Sequence, residues 1–377
     1  MRWSEMDYQA ELHNVVGHFD LEGELDGLEP YGTGHINDTF AGTYRGPRGT
    51  RRYIHQRLNH NVFKAPLKVM ENITRVTDYT RQQVQACGGD PRRQSLTLMP
   101  TRTGSAHYLS EQGNYWRTYL FIEGARTYDM ALGPQQLRAA ARAFGNFQRL
   151  LSTLPGQRLH ETIPNFHNTP LRFQHFLEAL DKNCCARAEQ ARAEVDFILA
   201  RQTDTAVITS LLETGAIPER VTHNDTKLNN VLIDDLTGEG LCIIDLDTVM
   251  PGSALYDFGD MVRSGAATAA EDEPDTSKAG LNMALFAELA QGYLDTAGDF
   301  LNQVEVDHLA FSARLITLEQ AIRFLTDFLN GDTYYKTHRA GQNLDRARTQ
   351  IQMVRAMEAR RVEMEAVVRA SQPAPRR

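Results

Sequence analysis

Eight residues, His223-Asn224-Asp225-Thr226-Lys227-Leu228-Asn229-Asn230, carry the densest chemistry in the sequence. A carboxylate at Asp225 can take a proton from an attacking hydroxyl. Asn230 and, farther on, Asp245 offer hard oxygen donors of the kind that hold Mg²⁺ against phosphates. The residues between them say how the two meet. Val231-Leu232-Ile233 and Leu241-Cys242-Ile243-Ile244 are apolar and rich in β-branched side chains, and Asp234, Asp235, Thr237, Gly238, Glu239 and Gly240 separate them. That is hairpin chemistry. A hairpin centred on Thr237-Gly238 makes Asn230 and Asp245 cross-strand neighbours on one face at its open end. A base beside two ligands for Mg²⁺ is equipment for phosphoryl transfer.

The spacing points the same way. His-x-Asp-x-x-x-x-Asn, followed by an Asp on the next strand, is the spacing of a kinase catalytic loop. Lys227, two residues beyond Asp225, either reaches a γ-phosphate or is a surface lysine. His223 is expected to orient the loop, not to exchange protons. Asp257, in Asp257-Phe258-Gly259-Asp260, reads as a helix cap or as a buried anchor for the loop.

Other elements must position this loop. Gly32 and Gly34 lie in a turn between strand-like residues, where backbone N–H groups either approach phosphates or close an ordinary hairpin. His35 and Asn37 follow directly and face a cleft or solvent. A strand is expected over 52–58 and another over 115–122, ended by Glu123-Gly124. If that last strand is the crossover to a helical remainder, Phe121, Ile122 and Glu123 meet an adenine edge through backbone atoms. Otherwise it is a core strand ending. Helices are expected over 61–85, 137–154, 171–180, 186–199, 206–212, 281–294, 309–329 and 344–368, with a loop or lid over 270–277. Arg323 follows Glu319 by four residues, which suits an exposed ion pair or an arginine donating to substrate oxygens. Tyr334 and Tyr335 are adjacent aromatics able to stack on a sugar or base.

The pattern implies an α+β, two-lobed protein-kinase-like fold, with a β-rich lobe over 1–122 and a mainly helical lobe over 123–377. The chain has 377 residues, 41% hydrophobic and 23% charged, with a formal net charge of -8. That balance is ordinary for a globular protein and argues against nucleic-acid or anionic-membrane partners. Cys87, Cys184, Cys185 and Cys242 show no metal spacing and read as reduced thiols of a cytoplasmic protein; a monomer is expected. No apolar leader precedes the charges at Glu5 and Asp7, and no apolar run approaches a membrane span.

The segments PYGTGHIN (residues 30–37), VTHNDTKLNN (221–230), IIDLDTVMPGS (243–253) and DFGD (257–260), with Arg323 and Tyr334, resemble the aminoglycoside phosphotransferase and choline kinase superfamily. Within it, they resemble its N-acetylhexosamine-phosphorylating members. They span nearly the whole chain. The resemblance implies ATP- and Mg²⁺-dependent phosphorylation of the anomeric hydroxyl of N-acetylglucosamine or N-acetylgalactosamine. It implies Asp225 as base, Asn230 and Asp245 as metal ligands, and His35, Arg323 and Tyr334 near the sugar. One departure stands out: the strand lysine that usually contacts the α/β-phosphates is absent from Tyr53-Ile54-His55-Gln56-Arg57, leaving Arg57 or Gln56 to substitute. Another small hydroxylated acceptor, such as an aminoglycoside, is the alternative substrate. A nucleotide-binding protein without chemistry is the alternative class.

Overall fold

The structure is a computed structural model that describes residues 5–32, 34 and 36–373, without the side chains of 5–10. The chain divides into two compact units. The first comprises residues 1–125, 154–163 and 241–249, and the second comprises 126–153, 164–240 and 250–377.

In the first unit, α1 (Glu5–Val16) precedes β1 (Glu24–Pro30), β2 (Asp38–Gly46) and β3 (Gly49–Leu58), followed by α2 (Pro66–Ala86). The short β4 (Leu98–Met99) and β5 (Tyr108–Leu109) then lead to β6 (Tyr115–Leu120). The sheet is antiparallel with order β1-β2-β3-β6-β4, and β5 also pairs with β6. Alternation along β3 turns Tyr53 and His55 inward. His55 lies between the Tyr44 hydroxyl at 3.1 Å and Thr118 Oγ1 at 2.9 Å, and burial pushes its pKa down to about 3. A neutral imidazole is what a dry site with two hydroxyl partners selects. Leu12, Val15 and Val16 of α1 pack with Phe19, Phe40 and Trp116. Pro66 starts α2 at a position where a missing N–H costs nothing, five residues later than periodicity alone suggested. On α2, Asn72 Nδ2 donates to the carbonyls of His160 (2.8 Å) and Val249 (3.0 Å), tying the two later segments into the unit.

The chain leaves this unit through β7 (Ala125–Arg126). The second unit is mainly helical: α3 (Pro134–Leu151), α4 (Thr169–Lys182), α5 (Arg192–Leu199) and α6 (Val207–Glu213) precede β8 (Arg220–Thr222) and β9 (Val231–Asp234). A turn follows β9; β10 (Gly240–Ile243) falls, from Leu241 on, in the first unit, and β11 (Met250–Gly252) pairs antiparallel with β8. Helices α7 (Ala254–Gly265), α8 (Met283–Ala297), α9 (Gln303–Asp307), α10 (Leu309–Leu329), α11 (Gln342–Ala359) and α12 (Arg361–Ala370) complete it. Helix α10 is the spine. Its Leu318, Ile322, Leu325 and Leu329 share one core with Phe173 and Phe176 of α4, Ile198 of α5, and Leu344, Ile351 and Val354 of α11. This is the α+β architecture expected, with antiparallel strands first and helices after. The helix expected over 186–199 is α-helical only from Arg192, and two further local expectations fail. The single helix over 344–368 breaks at Arg360, whose φ of -109 and ψ of 15 end α11 and start α12. The turn after β9 is centred one residue early. Asp234 Oδ1 accepts from the N–H groups of Leu236 (3.0 Å) and Thr237 (2.9 Å), and the Asp234 N–H donates to the Glu239 carbonyl at 2.9 Å. Asp234 thus nucleates its own turn. Asn230 lies just before β9 and Asp245 just after β10, so neither belongs to the paired strands.

Among the described residues, no helix is long and apolar enough to cross a membrane.

Candidate functional site

The candidate catalytic loop runs from the end of β8 to the start of β9. Its backbone is not left to water. Asp257 and Asp260 sit three residues apart on α7, so their carboxylates share a face. Asp257 accepts from the N–H groups of His223 (2.9 Å) and Asn224 (2.7 Å), and Asp260 accepts from that of Thr226 at 2.9 Å. The Thr226 hydroxyl returns a bond of 2.6 Å to the Asp257 carbonyl. Asp257 is therefore the buried anchor, while Ser253 caps α7 by accepting from Leu255. Gln148 of α3 donates to Asp257 at 2.5 Å and accepts from the Tyr293 hydroxyl. Burial pushes the Asp257 carboxyl up, against His223 and these donated bonds. Asn224 takes a left-handed φ of 65, a conformation asparagine tolerates better than most residues. The space beneath is tight: a Cβ on Gly252 would lie 2.4 Å from Thr222 Oγ1.

On this clamped loop the Asp225 side chain remains 27% exposed. Lys227 Nζ stands 2.7 Å from Asp225 Oδ1, and Asn230 Nδ2 donates to Asp225 Oδ2 at 3.0 Å and to its carbonyl at 2.8 Å. Desolvation pushes the Asp225 carboxyl up, but the Lys227 ammonium, His223 and the Asn230 amide outweigh it and hold it below the usual carboxylate range. Asp225 is thus ionised and reachable. His223 is buried against Phe144 and Phe147, and its Nδ1 accepts from the Asp225 N–H at 3.3 Å. Its place fits a residue that orients the loop.

A second cluster in the same unit surrounds Arg323 on α10. Its guanidinium lies 5.6 Å from the Phe166 ring centroid and 5.7 Å from that of Tyr335, and donates to Gln320 Oε1 at 3.2 Å. Burial works against its charge, while the nearby Tyr335, Glu319 and Tyr334 hold its pKa up. Arg323 and Tyr334 are therefore brought together, and Tyr334 is 71% exposed. Asp327 fixes the segment beneath: it accepts from the N–H groups of Thr333 (2.9 Å), Tyr334 (2.8 Å) and Tyr335 (2.9 Å). Glu319 is not in an exposed ion pair with Arg323. It is 1% exposed, accepts from Thr169 at 2.5 Å and pairs with His167 Nδ1 at 2.9 Å. His167 Nε2 lies 3.3 Å from the Asn224 carbonyl, so this pair abuts the catalytic loop. Burial opposes the charge on both members. Each outweighs that for the other, raising His167 and lowering Glu319.

The remaining candidates belong to the first unit. Asn37 Nδ2 donates to Asp247 at 2.5 Å and its Oδ1 accepts from the Asn59 N–H at 3.0 Å, so the structure gives it an internal role. His35 lies outside the described residues. Gly32, with φ of +82, and Gly34 are exposed, with no heavy atom within 4 Å of either ideal Cβ. Arg57 pairs with Asp38 at 2.6 Å. Gln56 Oε1 accepts from Arg117, whose guanidinium also bonds Asp247. Burial works against the Arg117 charge, but Asp247, Tyr119 and Asp245 hold its pKa up. The Phe121 N–H donates to the Arg52 carbonyl at 3.1 Å and the Glu123 carbonyl accepts from Arg93 at 3.1 Å, which ties up two of the expected adenine contacts.

Residues able to hold Mg²⁺ are present. Asn230 spends its amide nitrogen on Asp225, which turns its oxygen away from that bond. Asp245 has left-handed backbone, φ 59 and ψ 58, strain of the sort that clusters at functional sites. Each side chain is by itself a hard oxygen donor of the type Mg²⁺ takes. Among the described residues, no group of three His, Cys, Asp or Glu side chains is placed to hold a metal ion.

Sequence reasoning missed Arg117, Asp247 and His167, and it gave Glu319 the wrong partner. Arg117 had a signal, a cation in the middle of an aromatic, β-branched strand. His167 had none, because its partner lies 152 residues away.

The sequence model of a family described as phosphotransferase enzyme family matches residues 29–296. Among solved structures, the chain is similar to a spectinomycin phosphotransferase in complex with ADP and spectinomycin (12% identity, TM-score 0.58, 93% of this chain and 98% of that one). It is also similar to a microcompartment-associated aminopropanol kinase (13% identity, TM-score 0.56, 96% and 99%). The third is an ethanolamine kinase of Plasmodium vivax (14% identity, TM-score 0.54, 86% and 82%). At these identities the likeness is one of fold.

Proposed function

We propose, for a chain that belongs to the phosphotransferase enzyme family, that it transfers the γ-phosphoryl group of ATP to the anomeric hydroxyl of N-acetylhexosamines, giving the sugar 1-phosphate and ADP. The observation that carries this reading is Asp225: an ionised, reachable carboxylate on a loop whose backbone N–H groups are held by Asp257 and Asp260. Such a carboxylate orients the acceptor hydroxyl and takes its proton as the new O–P bond forms and the bond to the β–γ bridging oxygen breaks. A pKa below the usual range favours orientation over strong basicity, which suits the loose transition state of phosphoryl transfer.

Asn230 and Asp245 would hold Mg²⁺, which supplies charge neutralisation on the phosphates when bound. Lys227 is close enough to Asp225 to exchange that partner for a phosphate oxygen. Arg323 and Tyr334, one planar fork and one exposed phenol, would grip sugar hydroxyls, with His35 as a further candidate. Gly32, Gly34, Arg57 and the backbone of Phe121, Ile122 and Glu123 are the candidates for nucleotide contact, with Ile122 favoured by the engagement of its neighbours. The N-acetylhexosamine assignment itself draws on the sequence likeness of residues 30–37, 221–230 and 243–253 and on the meeting of Arg323 with Tyr334.

The test is ³¹P NMR of the product formed from ATP, Mg²⁺ and either N-acetylglucosamine or N-acetylgalactosamine. A new phosphate resonance coupled to the anomeric proton is expected. Coupling to the C6 protons would reject the position of transfer, and no product from either sugar would reject the acceptor. Ethanolamine and an aminoglycoside belong in the same panel, since phosphorylation of those alone would favour a cationic substrate.

A further inference from the structure

A cavity of about 230 Å³ opens beside the catalytic loop, walled by Lys227, Arg263, the small residues Ala267, Ala269, Ala279 and Gly280, and Thr349, Gln350 and Met353 of α11. It is smaller than a pocket for a whole drug-sized ligand, so it suits a substituent. Lys227 joins it to the chemistry, because the ammonium that lines it also pairs with Asp225. The loop that roofs it is tied down. Thr268 N–H donates to the Gly280 carbonyl at 3.1 Å, Asn282 N–H to that of Ala266 at 2.9 Å, and Gln342 Nε2 bonds Asp272 at 2.8 Å.

Two features say what the cavity would accept. Its charges are already matched: Arg263 pairs with Asp260 at 2.8 Å and with Glu271 at 2.9 Å, and Lys227 with Asp225. An incoming ammonium would find no carboxylate that has not been claimed. Gln350, in contrast, is 3% exposed and its Oε1 has no hydrogen-bond partner among the described residues. A buried amide with an unmet carbonyl calls for an explanation, and as an amide it offers both a donor and an acceptor. Alanine methyls and Met353 supply an apolar wall beside it.

We infer that this cavity receives the neutral acylamino group next to the transferred hydroxyl, with Gln350 hydrogen-bonding the amide and the alanine wall taking the acyl methyl. The inference rests on the proposed 1-kinase reading. In an N-acetylhexosamine the acetamido group is vicinal to the anomeric hydroxyl, so a base at Asp225 and an amide reader behind Lys227 would address neighbouring carbons. Gln350 thereby becomes a specificity-determining residue. It would favour N-acetylated over 2-hydroxy and 2-amino sugars.

The experiment compares kcat/KM for N-acetylglucosamine, glucose and glucosamine in wild type, Gln350→Leu and the near-isosteric Gln350→Glu. The expected result is a fall of roughly tenfold or more in the N-acetylglucosamine-to-glucose ratio for Gln350→Leu, carried by KM more than by kcat, as loss of one buried hydrogen bond to substrate predicts. Gln350→Glu should lower the same ratio and raise relative activity on glucosamine, whose ammonium would then meet an unclaimed carboxylate. An unchanged ratio in a variant that still phosphorylates N-acetylglucosamine overturns the subsite and leaves the kinase reading standing. A wild type that phosphorylates no hexose overturns both. Should Gln350→Leu fail to fold, Gln350→Glu alone decides.

Discussion

Two loops of the second unit are held by the same device and left with different freedom. At 223–226 the carboxylates of Asp257 and Asp260 accept backbone N–H groups, and at 333–335 the carboxylate of Asp327 does so. In both cases a helix-borne acid replaces the water that a loop's amides would otherwise need. The first loop is also locked through its side chains. Asn224 bonds Thr222, Asn230 bonds Asp225, and His223 is sealed under two phenylalanines. The second keeps its backbone fixed while presenting an exposed ring at Tyr334. On the proposed reading the first loop does the chemistry, and its reacting atom must be placed within a fraction of an ångström. On the same reading the second loop recognises the substrate, and it needs only a fixed root and a side chain free to close on what arrives.

The sharpest break in this comparison is Asp225→Asn. It keeps the shape of the first loop and removes its proton acceptor, so turnover should fall by roughly 10² to 10⁴, while nucleotide binding followed by calorimetry stays near wild type. Turnover near wild type would sink the assigned role. Asp257→Ala should injure both fold and activity. It orphans the N–H groups of His223 and Asn224 together with the Gln148 amide, and chemical denaturation should report a loss of about 3–5 kcal/mol. Asp327→Ala should cost about 2–3 kcal/mol but act on KM more than on kcat. An equal loss of kcat in both alanine variants would erase the distinction between the loops.

The pair of His167 with Glu319 separates the loops by pH. His167 is raised above its ordinary 6.5, so its share of stability is complete below that value and drains as pH rises through the folded pKa. Glu319 is lowered from its ordinary 4.5, so its share is complete above that value and drains as pH falls. The stability gap between wild type and His167→Gln, about 2 kcal/mol, should therefore be widest between pH 4.5 and 6.5. A gap independent of pH from 4 to 9 would mean the pair is not ionic. Smallest is Tyr334→Phe. Its exposed hydroxyl should matter to stability by no more than about 0.5 kcal/mol yet raise the KM for sugar by several-fold.

What could be read in the sequence was local. The apolar stripe of α10 recurs at helical spacing from Phe311 to Leu329, and its bounds match expectation to the residue. The motif from His223 to Asn230 announces its chemistry through residue types alone. What could not be read depends on partners far along the chain. Helix α1 gains its burial from Phe40 and Trp116 and shows little pattern of its own. The helix break at Arg360 involves neither proline nor glycine and has no local signature. Arg323 was ambiguous because its apparent partner Glu319 is claimed by His167 and Thr169. Spacing offers pairs, and packing decides which of them form.

One consequence of the first unit's composition concerns the order in which the protein is made. Arg117 is 1% exposed, and its counter-charge is Asp247. Asn72 likewise waits for the carbonyls of His160 and Val249. A nascent chain that has reached residue 125 holds every strand of this sheet but lacks the carboxylate that makes a buried guanidinium tolerable, and breaking such a pair costs about 3–5 kcal/mol. Translation must run on well into the next unit, through 164–240, before the first can close. A ribosome-stalled product ending at 125 should therefore stay protease-sensitive, and one ending well beyond 249 should carry a protected amino-terminal fragment.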